Sequence, residues 1–377
     1  MATPGAGTHP VTALHQFVPS YAGRTAIGTH TREVARLLGA MGVDSHLYVD
    51  HARDVKRGEA TPYRQFAPQR GQRPVLLYHL STGSPVAEFL AQRPEPLVVN
   101  YHNITPTALI QPWEPLLAGE LRRGRQELRL LAPRTRHGVA VSDYNRAEMV
   151  AAGYDPATLT TVPVLVDYDA LGRDEDRDLA AGLADAHGRG GSTWLFVGRR
   201  TASKAQHRLI AALALHRRLY DPQARLYLVG ESTSATYQAA LPAYAARLGV
   251  ADAVTITGSV PQRQLVSYYR AADVFVSASE HEGFGIPLIE AMGHGVPVVA
   301  LDCSAVGETV GGGGVLVGPD AAGHASPAVL AAAVDRVLTN DDLRSSMVCW
   351  GRTRAADFSL ERTRDQMRTV LGQVLER

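Results

Sequence analysis

The segment from Ala272 to Met292 constrains the fold of this chain more than any other. Residues 272–277 (ADVFVS) are mostly β-branched or apolar, a pattern that predicts a buried strand. Gly283 and Gly285 then predict a tight turn. Pro287 suits the first turn of a helix, because the N–H that proline lacks would have no partner there. Strand, glycine turn and helix in this order predict one step of a parallel α/β sheet.

The same segment carries groups that suit a sugar nucleotide. Backbone N–H groups at the start of a helix, at the positive end of its dipole, favour phosphate. Glu282 lies in the turn and Glu290 about one turn into the helix, and carboxylates accept hydrogen bonds from sugar hydroxyls. The combination indicates a nucleotide-sugar site. The two glutamates alone would be equally compatible with a solvated acidic turn.

The strand–loop–helix pattern recurs along the chain and predicts two α/β domains. A length of 377 residues allows two or three domains, and two is the simplest number. Residues 167–191 are polar and charged, then glycine-rich, which is typical of a linker. Strands are predicted on either side of it, at 11–17, 44–49, 74–80, 96–101, 138–142 and 159–166, and at 193–197, 225–229, 254–257, 272–277 and 295–300.

Charge and cysteine content exclude several classes of protein. Lys+Arg 38 against Asp+Glu 37 gives 38 − 37 = +1, so nothing global argues for a nucleic-acid partner. Cys303 and Cys349 cannot form a disulfide framework or a four-cysteine metal site, and they fit a reducing compartment. Residues 1–10 lack the apolar core of a signal peptide, and no apolar run reaches the roughly 18 residues of a membrane span. We expect a cytoplasmic protein.

Two further candidate residues lie in the first half of the chain. Gly28, in the loop that follows the first strand, would let the backbone approach a ligand at a helix start. There is no G-x-G-x-x-G and no G-K-[ST], so dinucleotide and P-loop sites lose their main support. His102 follows the fourth strand, where ligands of open α/β sheets bind. Position alone supports a structural and a functional role for His102 about equally.

Two basic segments could meet anions. Arg199 and Lys204 lie between the strand at 193–197 and a long helix, where a planar fork and a compact charge could both bind phosphate. The predicted helix 121–131 holds four arginines and could meet anionic lipid or an anionic acceptor. A solvated basic face above a buried leucine stripe is the favoured interpretation of that helix.

The string SEHEGFGIPLIEAM at 279–292 resembles the E-x7-E signature of family 4 glycosyltransferases, which are retaining enzymes of the GT-B fold. Residues 198–204 resemble the family's G-R-x4-K motif, although Ala205 stands where the family usually has glycine. The resemblance covers nearly the whole chain. It implies two Rossmann-like doubly wound domains facing across a cleft: 1–168 completed by a helix at 357–377, a linker at 169–192, and a donor domain at 193–356.

The resemblance also implies roles for the candidate residues. It implies transfer of a hexose-type sugar from a nucleotide diphosphate sugar to an acceptor hydroxyl, with UDP favoured over GDP. Glu290 would accept from the ribose hydroxyls and Glu282 from the donor sugar, while His102 would position the sugar or the acceptor. The expected catalytic residues are His102, Glu282, Arg199 and Lys204, and the expected donor-binding residues are Gly28, Arg199, Lys204, Gly283, Phe284, Gly285, Ile286, Pro287, Leu288 and Glu290.

The resemblance requires no cofactor and no metal, provided that the basic loop and the helix dipole carry the charge of the diphosphate. Residues 174–176 (DED) match a metal-binding D-x-D motif of another glycosyltransferase fold, but they stand in a charged linker, where a solvated run is expected. A sugar-nucleotide epimerase, a phosphorylase and a catalytically silent partner subunit on the same fold remain as alternatives. The acceptor could be a lipid-linked sugar, a polysaccharide or a natural product, and the helix at 121–131 could bring the protein to the inner face of a membrane.

Overall fold

A computed structural model describes residues 13–376, except residues 24, 54, 55, 57, 71, 72 and 169–173. The chain divides into two compact units. The first comprises Met1–Ile104, Glu120–Val166 and Thr363–Arg377, and the second comprises Thr105–Gly119 and Asp167–Arg362. Each unit is built on a parallel sheet of its own. Among the described residues, no helix combines the length and the apolar character needed to cross a membrane.

The first unit contains a seven-stranded sheet in the order β3-β2-β1-β4-β5-β6-β7. Its central strands β4 and β5 are buried at every position, as expected when helices cover both faces of a parallel sheet. The strands are β1 (Leu14–Ala22), β2 (Leu47–Arg53), β3 (Thr61–Pro62), β4 (Val75–Leu80), β5 (Leu97–Tyr101), β6 (Thr135–Ala140) and β7 (Leu159–Thr161).

Short polar side chains start the helices of the first unit. Thr25, Ser84 and Ser142 each accept a hydrogen bond from a backbone N–H of the helix that follows, which satisfies a donor left without an intrahelical partner. The helices are α1 (Ala26–Ala40), α2 (Pro85–Ala91), α3 (Pro115–Leu131), whose first residues belong to the second unit, and α4 (Asp143–Ala151).

The second unit contains a six-stranded sheet in the order β10-β9-β8-β11-β12-β13. Its strands are β8 (Thr193–Val197), β9 (Arg225–Val229), β10 (Val254–Ile256), β11 (Val274–Ser277), β12 (Val298–Leu301) and β13 (Gly314–Val317). Its helices are α5 (Arg177–Gly188), α6 (Gln206–Leu219), α7 (Ala235–Arg247), α8 (Gln262–Ala271), α9 (Ile286–Gly293), α10 (Val306–Val310), α11 (Pro327–Thr339) and α12 (Asp341–Asp357), and α13 (Leu360–Glu376) ends in the first unit.

The predicted and observed elements differ at several places. The predicted strand 159–166 ends at Thr161, the predicted strand 44–49 is observed as Leu47–Arg53, and the short strand β3 is not predicted. Strand β1 continues to Ala22 because its last residues pair with the end of β2, whereas the sequence predicts a loop after residue 17. Its predicted start at Val11 lies outside the described residues. The predicted linker contains helix α5, whose first turn is capped by the carboxylate of Asp176. The charges around α5 conceal its short apolar face, which is why the sequence pattern favours a linker. Residues 169–173 of that linker lie outside the described residues.

Candidate functional site

The glycine turn of the second unit connects β11 to α9. Gly285 is the residue before the helix and has φ 95°, a left-handed conformation that favours glycine. Among the described residues, no side chain caps the start of α9, and Pro287 lies in its first turn. The positive end of the α9 dipole is therefore not neutralised by a capping side chain, which is the arrangement that suits an anion.

A second loop brings a lysine to this turn. The N–H of Glu280 donates to the carbonyl oxygen of Ser203 at 2.8 Å, which joins the loop after β11 to the loop after β8. Lys204 Nζ then lies 2.5 Å from Glu282 Oε1, and both side chains are largely buried, with 17% and 16% of their surface exposed. The two residues that the sequence predicts as neighbours of the donor sugar and diphosphate form an ion pair with each other.

The loop between β12 and α10 holds the turn from another side. The Ala305 N–H donates to the Glu282 carbonyl oxygen at 3.3 Å, and the Thr309 hydroxyl donates to the Phe284 carbonyl oxygen at 2.6 Å. Phe284 is buried, and its ring makes an edge contact with the ring of Phe358 at 5.3 Å between centroids. Leu288 is also buried, whereas Ile286 and Pro287 are partly exposed. Side-chain packing and backbone hydrogen bonds both fix the turn, so its N–H groups are oriented before any ligand arrives.

The two consecutive arginines of the basic loop have different environments. Arg199 is exposed, and its side chain forms no hydrogen bond or ion pair within the described part of the chain. Arg200 is only 4% exposed, and its guanidinium donates to the carbonyl oxygens of Gly230 and Thr257. Arg200 thus ties the ends of β8, β9 and β10 together, and Arg199 is the arginine available to a ligand. The motif assigned Arg199, but the sequence gives no sign of the structural function of Arg200.

Ala205, where the family usually has glycine, adopts a left-handed conformation with φ 49° and ψ 40°. It is fully buried at the start of α6. An alanine in this conformation carries a steric cost of about 1–2 kcal/mol, which explains why glycine suits the position.

Glu290 lies on α9 and borders a cavity of about 360 Å³ in the second unit, which is lined also by Tyr168, His294 and Arg352. The Tyr269 hydroxyl donates to Glu290 Oε2 at 2.7 Å. Burial raises the pKa of Glu290 to about 7, although the hydrogen bond from Tyr269 favours the ionised form. The carboxyl group therefore changes its charge near neutral pH.

Sequence reasoning missed Tyr168 and Tyr269. Tyr269 belongs to the apolar face of α8 and looks like a core residue in the sequence. Tyr168 lies at the end of the predicted first domain, and the structure groups it with the second unit. Its hydroxyl is buried without a partner among the described residues, and it lines the Glu290 cavity. A buried hydroxyl without a partner has a cost that a bound ligand could remove.

In the first unit, His102 follows the end of β5 and lies within a polar cluster. The main-chain N–H of His102 donates to the carbonyl oxygen of Leu80 at 2.9 Å. Its ring Nε2 lies 3.1 Å from Nδ1 of His79, and Nε2 of His79 lies 2.9 Å from Oε1 of Gln16. Burial lowers the pKa of His102 to about 3, so the ring is neutral at physiological pH. His79 and Gln16 carry no sequence signal beyond their positions on predicted strands.

The imidazole of His30 completes a cluster of three, with the potential ligand atoms of His30, His79 and His102 within 4.8 Å of one another. Nδ1 of His30 accepts from the N–H of Leu165 at 3.0 Å. The proton of neutral His30 is therefore on Nε2, which lies 2.8 Å from Nδ2 of Asn100. Both of these atoms are donors, whereas Oδ1 of Asn100 has no partner among the described residues, so the Asn100 amide must turn its oxygen toward Nε2 to accept this proton. A histidine bound to a metal through Nε2 keeps its proton on Nδ1. The hydrogen bonds of His30 are thus those of a structural residue rather than of a ligand for a metal.

Gly28 also has a structural reason to be glycine. Its N–H donates to Thr25 Oγ1 at 3.1 Å within the first turn of α1. A Cβ at this position would lie 2.1 Å from the carbonyl oxygen of Ala22. The close approach of the Gly28 backbone in this structure is therefore to β1, and its contact with a ligand stays a prediction.

The basic residues of α3 are partly paired. Arg123 forms ion pairs with Glu127 and Glu88, and Arg125 pairs with Glu148 at 3.1 Å. Arg122 and Arg129 are exposed. The solvated interpretation accounts for this face, and contact with a membrane stays a prediction.

The acidic run at 174–176 serves the structure of the second unit. The Asp176 carboxylate caps α5, and Glu175 forms an ion pair with Arg270 at 2.9 Å. The sequence predicts a solvated run, but two of its carboxylates are instead engaged by α5 and Arg270, while the absence of metal binding stays a prediction.

Comparison with known proteins identifies the class of residues 187–354. Residues 187–354 match the family described as glycosyl transferases group 1. A D-inositol 3-phosphate glycosyltransferase of Frankia alni is 35% identical over 231 residues, which cover 59% of this chain and 52% of the relative. A protein of the same name from Segniliparus rotundus is 41% identical over 149 residues, covering 39% of this chain and 32% of the relative. The chain thus spans about half, or less, of the length of these curated relatives.

Solved structures give the fold. The structure of Anabaena Alr3699/HepE with UDP and glucose has a TM-score of 0.73 at 18% identity, and the match covers 96% of this chain and 100% of that one. Sucrose-phosphate synthase from Thermosynechococcus elongatus has a TM-score of 0.75 at 19% identity, with coverages of 97% and 99%. The fold is GT-B, with two parallel-sheet α/β units. The match at 187–354 identifies a group 1 glycosyl transferase domain in the second unit, as the E-x7-E resemblance predicts.

Proposed function

We propose that the protein is a retaining glycosyltransferase that moves a hexose-type sugar from a nucleotide diphosphate sugar, UDP rather than GDP, to an acceptor hydroxyl. The observation that carries the proposal is the pairing of Lys204 with Glu282 at the uncapped start of α9. A lysine and the positive end of a helix suit a diphosphate, and a carboxylate suits sugar hydroxyls. The three are found together at one glycine turn.

In this proposal the ion pair holds both residues ready for the donor. Lys204 exchanges the carboxylate of Glu282 for a diphosphate oxygen, and Glu282 then accepts hydrogen bonds from hydroxyls of the donor sugar. Arg199, which is exposed and has no partner in the described structure, adds a planar donor fork to the diphosphate. Because Lys204 is already paired, its charge need not be stripped of water when the ligand binds.

Glu290 is proposed to accept hydrogen bonds from the ribose hydroxyls. Its carboxyl group borders the cavity in the second unit, and Tyr269 holds one of its oxygens. The ionised form is the better acceptor, and the raised pKa makes that form dominant only above about pH 7. His102 is proposed to contact a hydroxyl of the sugar or of the acceptor.

The chemistry is the exchange of one glycosidic bond for another on the same face of the sugar. The bond from the anomeric carbon to the phosphate oxygen breaks, and the acceptor oxygen forms the new bond. The proton of the acceptor hydroxyl goes to the departing phosphate. Negative charge grows on the leaving diphosphate, so Lys204, Arg199 and the start of α9 stabilise the transition state more than the bound substrate. We propose no metal, since these groups supply the positive charge.

The proposal also covers the acceptor, the cellular location and the functions of the two units. We infer that the second unit binds the donor and that the first unit selects the acceptor, which could be a lipid-linked sugar, a polysaccharide or a natural product. A cytoplasmic protein fits a soluble sugar-nucleotide donor. Contact with anionic lipid through residues 121–131 is restricted by the ion pairs of Arg123 and Arg125.

A donor panel tests the proposal. The protein is incubated with UDP-, GDP- and ADP-sugars without an acceptor, and release of the nucleoside diphosphate is followed together with calorimetric binding. We expect binding and slow hydrolysis of a UDP-sugar, unaffected by a metal chelator. Absence of binding to every donor would overturn the proposal. Formation of a second sugar nucleotide would indicate an epimerase instead.

A further inference from the structure

Three side chains on neighbouring strands of the first unit form a continuous hydrogen-bonded chain. Gln16 lies on β1, His79 near the end of β4, and His102 directly after β5. The successive distances are 2.9 Å from Gln16 Oε1 to His79 Nε2 and 3.1 Å from His79 Nδ1 to His102 Nε2. Gln16 and His79 are almost fully buried, at 1% and 0% exposure, and His102 is partly exposed. The chain therefore leads from the interior of the unit to its surface.

The order of donors and acceptors follows from Gln16. A neutral imidazole carries one proton, so one ring nitrogen donates and the other accepts. The amide oxygen of Gln16 can only accept, and it fixes the proton of His79 on Nε2. Nδ1 of His79 is then an acceptor, and His102 must donate to it from Nε2. The remaining nitrogen of His102, Nδ1, is left with a lone pair.

The surroundings keep the three residues in these states. The ring of His30 makes edge contacts with His79 and His102 at centroid distances of 5.4 Å and 4.8 Å. Both nitrogens of His30 are used by Leu165 and Asn100, so His30 neither takes a proton from this chain nor gives one to it. Burial lowers the pKa of His79 and of His102, and both rings are neutral. No carboxylate has a hydrogen bond or ion pair with any of these rings in the described structure.

We propose that Gln16 and His79 are positioning residues that hold His102 in the Nε2–H tautomer, so that Nδ1 of His102 accepts a hydrogen bond from a hydroxyl of the substrate. Among the described residues, Nδ1 of His102 has no partner. The main-chain N–H of His102 donates to the carbonyl oxygen of Leu80, which fixes the backbone from which the ring projects. The substrate contact rests on the proposed function, whereas the tautomer follows from the hydrogen bonds alone.

The tautomer can be measured without activity. Nitrogen-15 NMR of the histidine-labelled protein distinguishes a protonated ring nitrogen from one with a lone pair. We expect the His102 ring to show a proton on Nε2 and a lone pair on Nδ1, unchanged from pH 6 to pH 8. A proton on Nδ1 of His102 would overturn the proposal. Loss of the Nε2 proton on addition of one equivalent of Zn²⁺ would also overturn it, because the three imidazoles would then be metal ligands.

Two substitutions of His79 test the consequence for catalysis. His79→Asn keeps an oxygen acceptor at the position of Nδ1, and we expect it to retain most of kcat. His79→Phe keeps a ring but removes the acceptor. We expect it to lower kcat about 10- to 100-fold, by analogy with the loss caused by removing a residue that orients a metal-bound histidine, with little change in the donor KM. Equal losses in both variants would indicate a packing function and contradict the proposal.

His137→Phe is the matched control, since it removes another buried histidine from the adjacent strand β6 of the same unit. We expect its kcat to equal that of the unsubstituted protein, and a loss like that of His79→Phe would contradict the proposal. If the protein binds no sugar nucleotide, the proposed function fails while the NMR result still decides the tautomer. The two inferences can therefore fail separately.

Discussion

Both units carry polar residues at or near the ends of their parallel strands, but the chemistry of the two sets differs. In the first unit the set consists of neutral imidazoles and amides, with burial lowering the pKa of His30, His79 and His102. In the second unit it consists of charged groups, with Lys204 paired to Glu282 and Arg199 exposed. One set can direct hydrogen bonds, and the other can also bind charge.

The difference follows from how each set is stabilised. A buried imidazole cluster is inexpensive only when it is neutral and fully hydrogen-bonded, so its members have little freedom to change charge. The Lys204–Glu282 ion pair is largely buried beside a helix start, and Lys204 can exchange the carboxylate for another anion. This contrast supports the proposal that the second unit binds the diphosphate and that the first unit recognises neutral hydroxyls.

The largest expected effect comes from Lys204. If it neutralises the leaving diphosphate, Lys204→Ala should lower kcat about 100- to 1000-fold, the cost of removing one electrostatic contact to a developing charge. Release of the nucleoside diphosphate under saturating donor measures this loss. Arg217→Ala is the control, since it breaks an ion pair with Asp252 in the same unit at a distance from the glycine turn in the sequence. A small change in kcat for Lys204→Ala would show that Lys204 does not stabilise the leaving diphosphate.

Substitutions of the adjacent residues Arg199 and Arg200 distinguish an effect on stability from an effect on donor binding in the second unit. Arg200→Ala leaves the carbonyl groups of Gly230 and Thr257, which belong to partly exposed residues, without the Arg200 donor, and we expect the free energy of unfolding to fall by roughly 1–3 kcal/mol. Arg199→Ala should leave the free energy of unfolding unchanged and weaken donor binding. Chemical denaturation and calorimetry give the two quantities. If Arg199→Ala destabilises the protein and Arg200→Ala does not, the assignment of the two arginines is reversed.

Much of the charged unit could be predicted from local sequence. Strands β8 and β9 have the predicted bounds, and the glycine turn lies between a strand and a helix as the pattern indicates. The turn is predictable because glycines and Pro287 restrict the backbone within a few residues. Its ion pair is not, since the proximity of Lys204 to Glu282 depends on a hydrogen bond between Glu280 and Ser203, which belong to loops far apart in the sequence.

The hydrogen-bonded contacts of Gln16, His79 and His102 in the first unit could not be predicted from the sequence. His102 is recognisable by its position after a strand, but its partner His79 and the partner of His79, Gln16, come from two other strands. Their meeting depends on the strand order β1-β4-β5 and on the register, neither of which is visible in the sequence. Helix α5 was missed for a different reason, because its apolar face is short and surrounded by charged residues.

The charge of Glu290, in the second unit, depends on pH near neutrality. Burial favours its neutral form and raises the pKa from the ordinary 4.5 to about 7, so the ionised fraction grows as the pH rises through 7. If the ionised form binds ribose, the affinity for UDP-glucose should increase by up to about tenfold from pH 6 to pH 8. Calorimetry at several pH values measures the change, and Glu290→Gln should abolish it. An affinity that is independent of pH would show that Glu290 does not bind the donor through its charge.

The smallest effect concerns Ala205, the residue that departs from the family pattern. Ala205→Gly would remove a left-handed alanine, a gain of about 1–2 kcal/mol. It would also remove a buried methyl group, a loss of about 0.8 kcal/mol, and add flexibility to the unfolded chain at a cost of about 0.5–1 kcal/mol. These contributions nearly cancel, so the free energy of unfolding should change by less than about 1 kcal/mol while donor affinity stays the same. A large gain in donor affinity would mean that Ala205 strains the loop holding Lys204, and the charged set would then be less well positioned in the natural chain than its hydrogen bonds indicate.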